Sequence, residues 1–100
     1  MKTINVITDY GIKPCKAIGK PQEIRGELWQ VCEVPVKYMN CHEPLLLRKI
    51  VHFKTGGNLP IRGMSYKATV KDFVQDATYF LNKIPEDAFK KEISSREVIN

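Results

Sequence analysis

Residues 69–85 read TVKDFVQDATYFLNKIP, and this stretch decides the fold class. Val70, Phe73, Val74, Ala77, Phe80, Leu81 and Ile84 recur at the three- and four-residue spacing that puts side chains on one face of an α-helix. Thr69 suits the N-cap, with Asp72 three residues on in a variant of the capping box. Asp72 also complements the positive end of the helix dipole and Lys83 the negative end. Pro85 disfavours helical backbone at Ile84 and so stops the helix. The same proline can open a second, shorter helix, with Glu86 and Asp87 in its first turn and Phe89 and Ile93 as its anchors. A helix with one apolar face needs an apolar surface to cover, and the preceding residues supply one as strands.

Upstream, the periodicity changes to alternation. Residues 4–10 (INVITDY) carry β-branched and aromatic side chains in period two and read as a strand ended by Gly11. Residues 12–18 form a second strand, weakened by Pro14, and Gly19-Lys20-Pro21 reads as a turn. Residues 23–36 are the next extended stretch. Leu28, Cys32, Val34 and Val36 share one parity, with Gln30 as the exception, while Trp29 and Val31 share the other. Such a strand needs cover on both sides, or a bulge at Gly26 that switches faces. Pro35 marks its end or an edge. Residues 37–44 (KYMNCHEP) read as a loop. Residues 45–54 form a strong strand, with Leu45, Leu47, Val51 and Phe53 on one face and Leu46, Arg48, Ile50 and His52 on the other. Thr55-Gly56-Gly57-Asn58 is a turn, and residues 59–64 a short return strand that Pro60 places at an edge. The expectation is an α+β fold: an antiparallel β-sheet of about four to five strands, one main amphipathic helix packed on it and a short C-terminal helix. Residues 1–94 make a single domain and 95–100 a flexible tail.

At 100 residues and 43% apolar composition the chain can build one core, not several. Its longest apolar run is Leu45-Leu46-Leu47, far short of the roughly 20 residues of a membrane span. The first residues alternate and form no secretory signal. Three widely spaced cysteines, Cys15, Cys32 and Cys41, argue against a disulfide framework and for a reducing cytoplasm, with Cys15 and Cys32 as small buried hydrophobes.

Catalytic and metal chemistry find little support. Cys15, Cys32, Cys41, His42 and His52 lack the paired spacing of zinc ligands, and Cys41 and His42 are adjacent, so an extended chain points them apart. A nucleophilic pair of Cys41 or Cys32 with His42 or His52 would need an orienting group and an oxyanion hole that no motif announces. Thr55-Gly56-Gly57-Asn58 lacks the pattern of a phosphate-binding loop. Asp9, Glu27, Glu33 and Glu43 are scattered. The expectation is a protein that is not an enzyme and holds neither cofactor nor metal.

Charge is more informative. The net charge is +5, and residues 1–71 hold twelve Lys/Arg against five Asp/Glu, while residues 72–100 hold four against six. Lys13, Lys16, Lys20, Arg25, Arg48, Lys49, Lys54, Arg62, Lys67 and Lys71 are interleaved with Tyr10, Trp29, Tyr38 and Tyr66. Basic side chains beside aromatic ones suit nucleic acid, through phosphate neutralisation and stacking, yet no RNA- or DNA-binding signature is present.

The layout of Ile50-Val51-His52-Phe53-Lys54-Thr55-Gly56, then Leu59-Pro60-Ile61, then Thr69 and its helix, resembles small bacteriophage and mobile-element accessory proteins. There a strand ending in H-x-x-T-G precedes a short strand and a capped helix. The resemblance covers residues 50–84 and transfers no catalytic residue. It implies a protein that binds and modulates a host protein or nucleic-acid machine, in roles such as anti-restriction or anti-CRISPR inhibition. The expectation is a non-catalytic binding module whose surface of Lys49, Lys54, Arg62 and Lys67, with Tyr38 and Tyr66 as aromatic anchors, meets an acidic protein surface or a nucleoprotein complex. The alternative is direct nucleic-acid binding. Self-association through the 59–64 edge is a further option.

Overall fold

The computed structural model describes residues 2–39, 42–58 and 69–100. Within them the chain runs β1 (Thr3–Thr8), β2 (Gly11–Ile24), β3 (Glu27–Val36), β4 (Leu45–His52), α1 (Val70–Lys83) and α2 (Glu86–Ser94). The strands form one antiparallel sheet in the order β1-β2-β3-β4, so the α+β expectation is met with four strands. The expected return strand at residues 59–64 lies outside the described residues; before it, Asn58 makes a single antiparallel bridge to Val51.

Two turns differ from their sequence reading. Residues 19–21 are not a turn, because β2 runs straight through them. Its register against β3 passes from Ile18↔Val31 to Gln22↔Trp29, so four residues of β2 span what two of β3 cover. Gly19 absorbs the kink at φ 71°. Gln30, the polar exception in its parity, is buried and donates its Nε2 to Ile18 O (3.0 Å) and Gly19 O (3.2 Å), carbonyls at the kink. The turn falls instead at Arg25-Gly26, both with positive φ (56° and 77°), the geometry of a two-residue hairpin whose twist matches its strands. Gly11, expected to end the first strand, opens the second after a turn at Asp9-Tyr10.

β2 pairs with β1 over its first half and with β3 over its second, and the sheet rolls. The outer edge of β1 then meets the turn after β4. Ile7 N donates to Gly56 O (2.8 Å), and Asn58 Nδ2 donates to Ile7 O (3.2 Å). Residues 95–100, read as a tail, lie in the same seam. Asn100 offers its side-chain amide to Asn5 as a strand offers its backbone: Asn5 N donates to Oδ1 and Nδ2 donates to Asn5 O. The same Nδ2 reaches Phe53 O (2.7 Å), and Ile99 N donates to Lys54 O (2.9 Å).

β3 is covered on both faces, as its double parity requires. Inside the roll, Cys32 and Val34 pack with Val6, Cys15 and Val51. Outside, Trp29 and Val31 pack with Ile24 and Ile50 under Phe73, Ala77 and Leu81 of α1 and Phe89 of α2. Thr69 caps α1 as expected, its hydroxyl accepting from Asp72 N (3.2 Å). Pro85 precedes α2 rather than opening it, and its carbonyl accepts from Phe89 N (2.9 Å). Arg25 joins the layers: its guanidinium stacks on the Phe89 ring (4.4 Å) and donates to Leu81 O and Ile84 O at the negative end of α1. The apolar stripe of α1 is narrower than its sequence promises. Phe80 is half-exposed and belongs to neither core cluster.

Each well-buried side chain of this layer contributes about 1.5–3 kcal/mol of transfer free energy. Phe73→Ala should therefore cost about 3–5 kcal/mol in urea unfolding, and Phe80→Ala clearly less. Equal losses in the two variants would contradict this orientation of α1.

Candidate functional site

The chemistry-bearing residues divide into a buried lock and an exposed rim. The lock closes β4. His52 N donates to Gly57 O (2.7 Å) and Gly56 N donates to His52 O (2.8 Å), so residues 52–57 form a tight loop. The His52 ring, only 4% exposed, lies against Trp29 with centroids 5.0 Å apart, and its Nδ1 is 2.8 Å from Thr55 Oγ1. Thr55 Oγ1 also accepts from Gly57 N (3.4 Å). Nε2 faces the Glu27 carboxylate at 3.7 Å, beyond hydrogen-bond length. The H-x-x-T-G motif thus has a physical role, since its first and fourth side chains bond each other across the turn.

Carboxylate, imidazole and hydroxyl in that order resemble a catalytic relay, but access decides its use. Thr55 is 3% exposed. The cavity beside it, reached by Arg96 and Glu92, measures about 10 Å³. That is room for one water molecule and none for a substrate. Burial pushes the His52 pKa down, opposed by Glu27 and reinforced by the cationic Lys54 and Arg96.

The thiols are equally enclosed. Burial raises the pKa of Cys15, and burial together with the neighbouring Cys15 pushes Cys32 up to about 12. Neither supplies a thiolate near neutral pH. Cys41 lies outside the described residues, and His42 is exposed in the β3–β4 connection. Among the described residues no three His, Cys, Asp or Glu side chains come together as metal ligands. Among them, too, no helix is long and apolar enough to cross a membrane.

The residues expected to bind a partner are not gathered in one place. Arg62, Tyr66 and Lys67 lie outside the described residues. Lys54 is exposed beyond the end of β4, whereas Tyr38 sits before its start, so the eight residues of the strand, roughly 25 Å, separate them. Lys49, mid-strand, is half-buried and places its Nζ 3.5 Å from Asn58 Oδ1. Trp29 and Arg25 are withdrawn from any stacking or basic surface by the core and by the α1 carbonyls.

Tyr38 does have company that the sequence did not disclose. Lys37 N donates to Asp9 Oδ2 (2.9 Å), which ties the tip of the β1–β2 hairpin to the end of β3. Tyr10 and the cross-strand pair Ile7–Ile12 come with that hairpin. Tyr38 (58% exposed), Met39 (86%) and Leu46 (61%) come from the β3–β4 side. The result is an exposed apolar rim at the end of the sheet away from the Trp29–Phe89 core, flanked by the exposed Lys13 and Lys37. Only the unexplained apolar residues of a predicted loop, Tyr38 and Met39, could have signalled it.

Two outcomes follow. The unfolded chain takes up a proton on His52 before the folded one does, because the folded pKa lies below 6.5. This group therefore leaves stability unaffected above that pH and erodes it as pH falls further. The urea midpoint should drop between about pH 7 and about pH 5, and His52→Gln should flatten that drop; an equal drop in the variant would assign the acid sensitivity elsewhere. In a Cys41→Ser background, thiol reagent should label the native protein slowly and the urea-unfolded chain at once. Rapid labelling of the native form would show the thiols to be accessible.

No known family model, curated protein or solved structure matches this chain.

Proposed function

We propose that this chain is a small non-catalytic binding module that docks on a larger partner protein through the apolar rim of Tyr10, Ile12, Tyr38, Met39 and Leu46. The observation that carries this reading is the exposure of these large side chains on the β1–β2 hairpin and the β3–β4 side, while Trp29, Val31, Cys32 and Val34 of β3 are buried on its two faces. Contiguous apolar surface on so small a domain is characteristic of protein contacts, in which aromatic and Met anchors supply most of the energy. The net charge of +5 and the flanking Lys13 and Lys37 steer the rim toward an acidic partner surface. Within this reading, an accessory or inhibitor of a phage or mobile element, acting on a host machine in an anti-restriction or anti-CRISPR manner, is the role that the 50–84 layout supports. A cytoplasmic location fits the two enclosed free thiols.

Direct nucleic-acid binding is the second reading, favoured by Tyr10 and Tyr38 standing exposed near Lys13 and Lys37. Burial of Trp29 weakens it.

Affinity capture from native host lysate, with and without nuclease, separates the two. The expected result is one protein retained after nuclease, retained poorly by Leu46→Glu or Tyr38→Ala, with the melting temperature of both variants preserved. Loss of the partner on nuclease treatment, together with oligonucleotide affinity that falls steeply with salt, would transfer the assignment to nucleic acid. A partner indifferent to both substitutions would reject the rim.

A further inference from the structure

The rolled sheet has an open mouth. Between Ile7–Asp9 on one wall and Val34–Val36 on the other lies a groove of about 300 Å³. Its apolar lining comes from the half-buried Val36, on the same face of β3 as Cys32 and Val34; Val34 itself is buried, and Ile7, of opposite parity to the buried Val6, borders the groove. Its inner end is polar, because Lys49 stands opposite Cys32 and Asn58 is bridged to Val51, both deeper in the roll than Val36. Arg96 reaches the groove as well, but its guanidinium is already paired with Glu92. Asp9 stands at the outer end, its Oδ2 accepting the Lys37 amide.

The ammonium of Lys49 is the unbalanced charge. Its nearest hydrogen-bonding neighbour among the described residues is the Asn58 amide oxygen at 3.5 Å, and among them no carboxylate lies within ion-pair distance. A half-buried cation at the inner end of the groove is left without a countercharge among the described residues. A carboxylate is the group that repairs this, through a charge-assisted hydrogen bond. The polarity of the groove sets the orientation: the acid goes to the inner end, away from Asp9, and an apolar stem lies along Val36 at the mouth.

We infer that the mouth takes an acidic side chain carried on an apolar stem by the partner polypeptide, with Lys49 as its charge partner. This deepens the docking reading and rests on it, since the mouth opens beside the rim, sharing Ile7 with it.

The test needs no knowledge of the partner. The probe is a blocked valine–isoleucine–glutamate tripeptide, acetylated and amidated so that the glutamate carries its only charge, titrated into the ¹⁵N-labelled full chain and followed by amide shifts. Saturable shifts are expected at residues 7–9 and 34–36, with the glutamine counterpart binding about tenfold more weakly. Lys49→Met, which keeps the stem and removes the charge, should erase that difference, and Lys49→Arg should restore it. Equal affinity for the two peptides, or shifts elsewhere, overturns the inference; this comparison decides by itself should Lys49→Met not fold. Hexanoate binding as tightly as the peptide would also overturn it, in favour of a small-carboxylate pocket. Partner capture that fails in Leu46→Glu but survives Lys49→Met would remove the mouth from the interface and leave the rim reading intact.

Discussion

The rest of the molecule depends on β3 being covered on both faces. A strand with Trp29 and Val31 on one side and Cys32 and Val34 on the other leaves its apolar surface in water unless two separate layers reach it. One layer is the pair of helices. The other is the sheet itself, which must curl so that β1 returns over the inner face. A long β2 serves both demands by pairing with β1 over one half and with β3 over the other. β2 changes partners at Lys16–Ala17, and just beyond, the kink between Ile18 and Gln22 shifts its register against β3, with Gln30 satisfying the carbonyls there. A buried glutamine in an apolar row is thus a requirement of the curvature.

Closing the roll creates a second demand. The outer edge of β1 would otherwise expose a row of unpaired backbone groups. It is sealed piecemeal by Gly56, Asn58 and the side-chain amide of Asn100. That seal needs the chain after β4 in a fixed path, which the His52–Thr55 bond and the glycine at φ 71° impose. A Cβ at Gly56 would come within 2.7 Å of Asn5 O, so the turn and the edge strand can meet only at a residue without one. The histidine and threonine that look like chemistry are used for closure.

The functional reading follows from what this closure leaves uncovered. The helices occupy the Trp29 end of the outer face, and the seam occupies the edge. The far end, where the β1–β2 hairpin leans on β3, is covered by nothing among the described residues. Its aromatic and aliphatic side chains and the half-buried Lys49 are what the fold does not use, and groups that a fold does not use are free to meet a partner.

The sequence by itself determined the local elements. The stripe from Val70 to Ile84, the cap at Thr69, the stop at Pro85 and the double parity of residues 28–36 are short-range patterns, and short-range geometry decides them. The burial of Cys15 and Cys32 was legible from the usual fate of free cysteine, whereas Trp29, read beside the basic side chains, was placed in the core by the tertiary structure. Only the tertiary structure decided that Gly19-Lys20-Pro21 bulges instead of turning, that Arg25 serves a helix end instead of a basic surface, and that Phe80 stays half-exposed. It also decided that Tyr38 lies beside the β1–β2 hairpin, which the Lys37–Asp9 bond holds there, and not beside Lys54. Each of these rests on a contact between residues far apart in the chain, and a pattern of neighbours carries no record of how a sheet rolls.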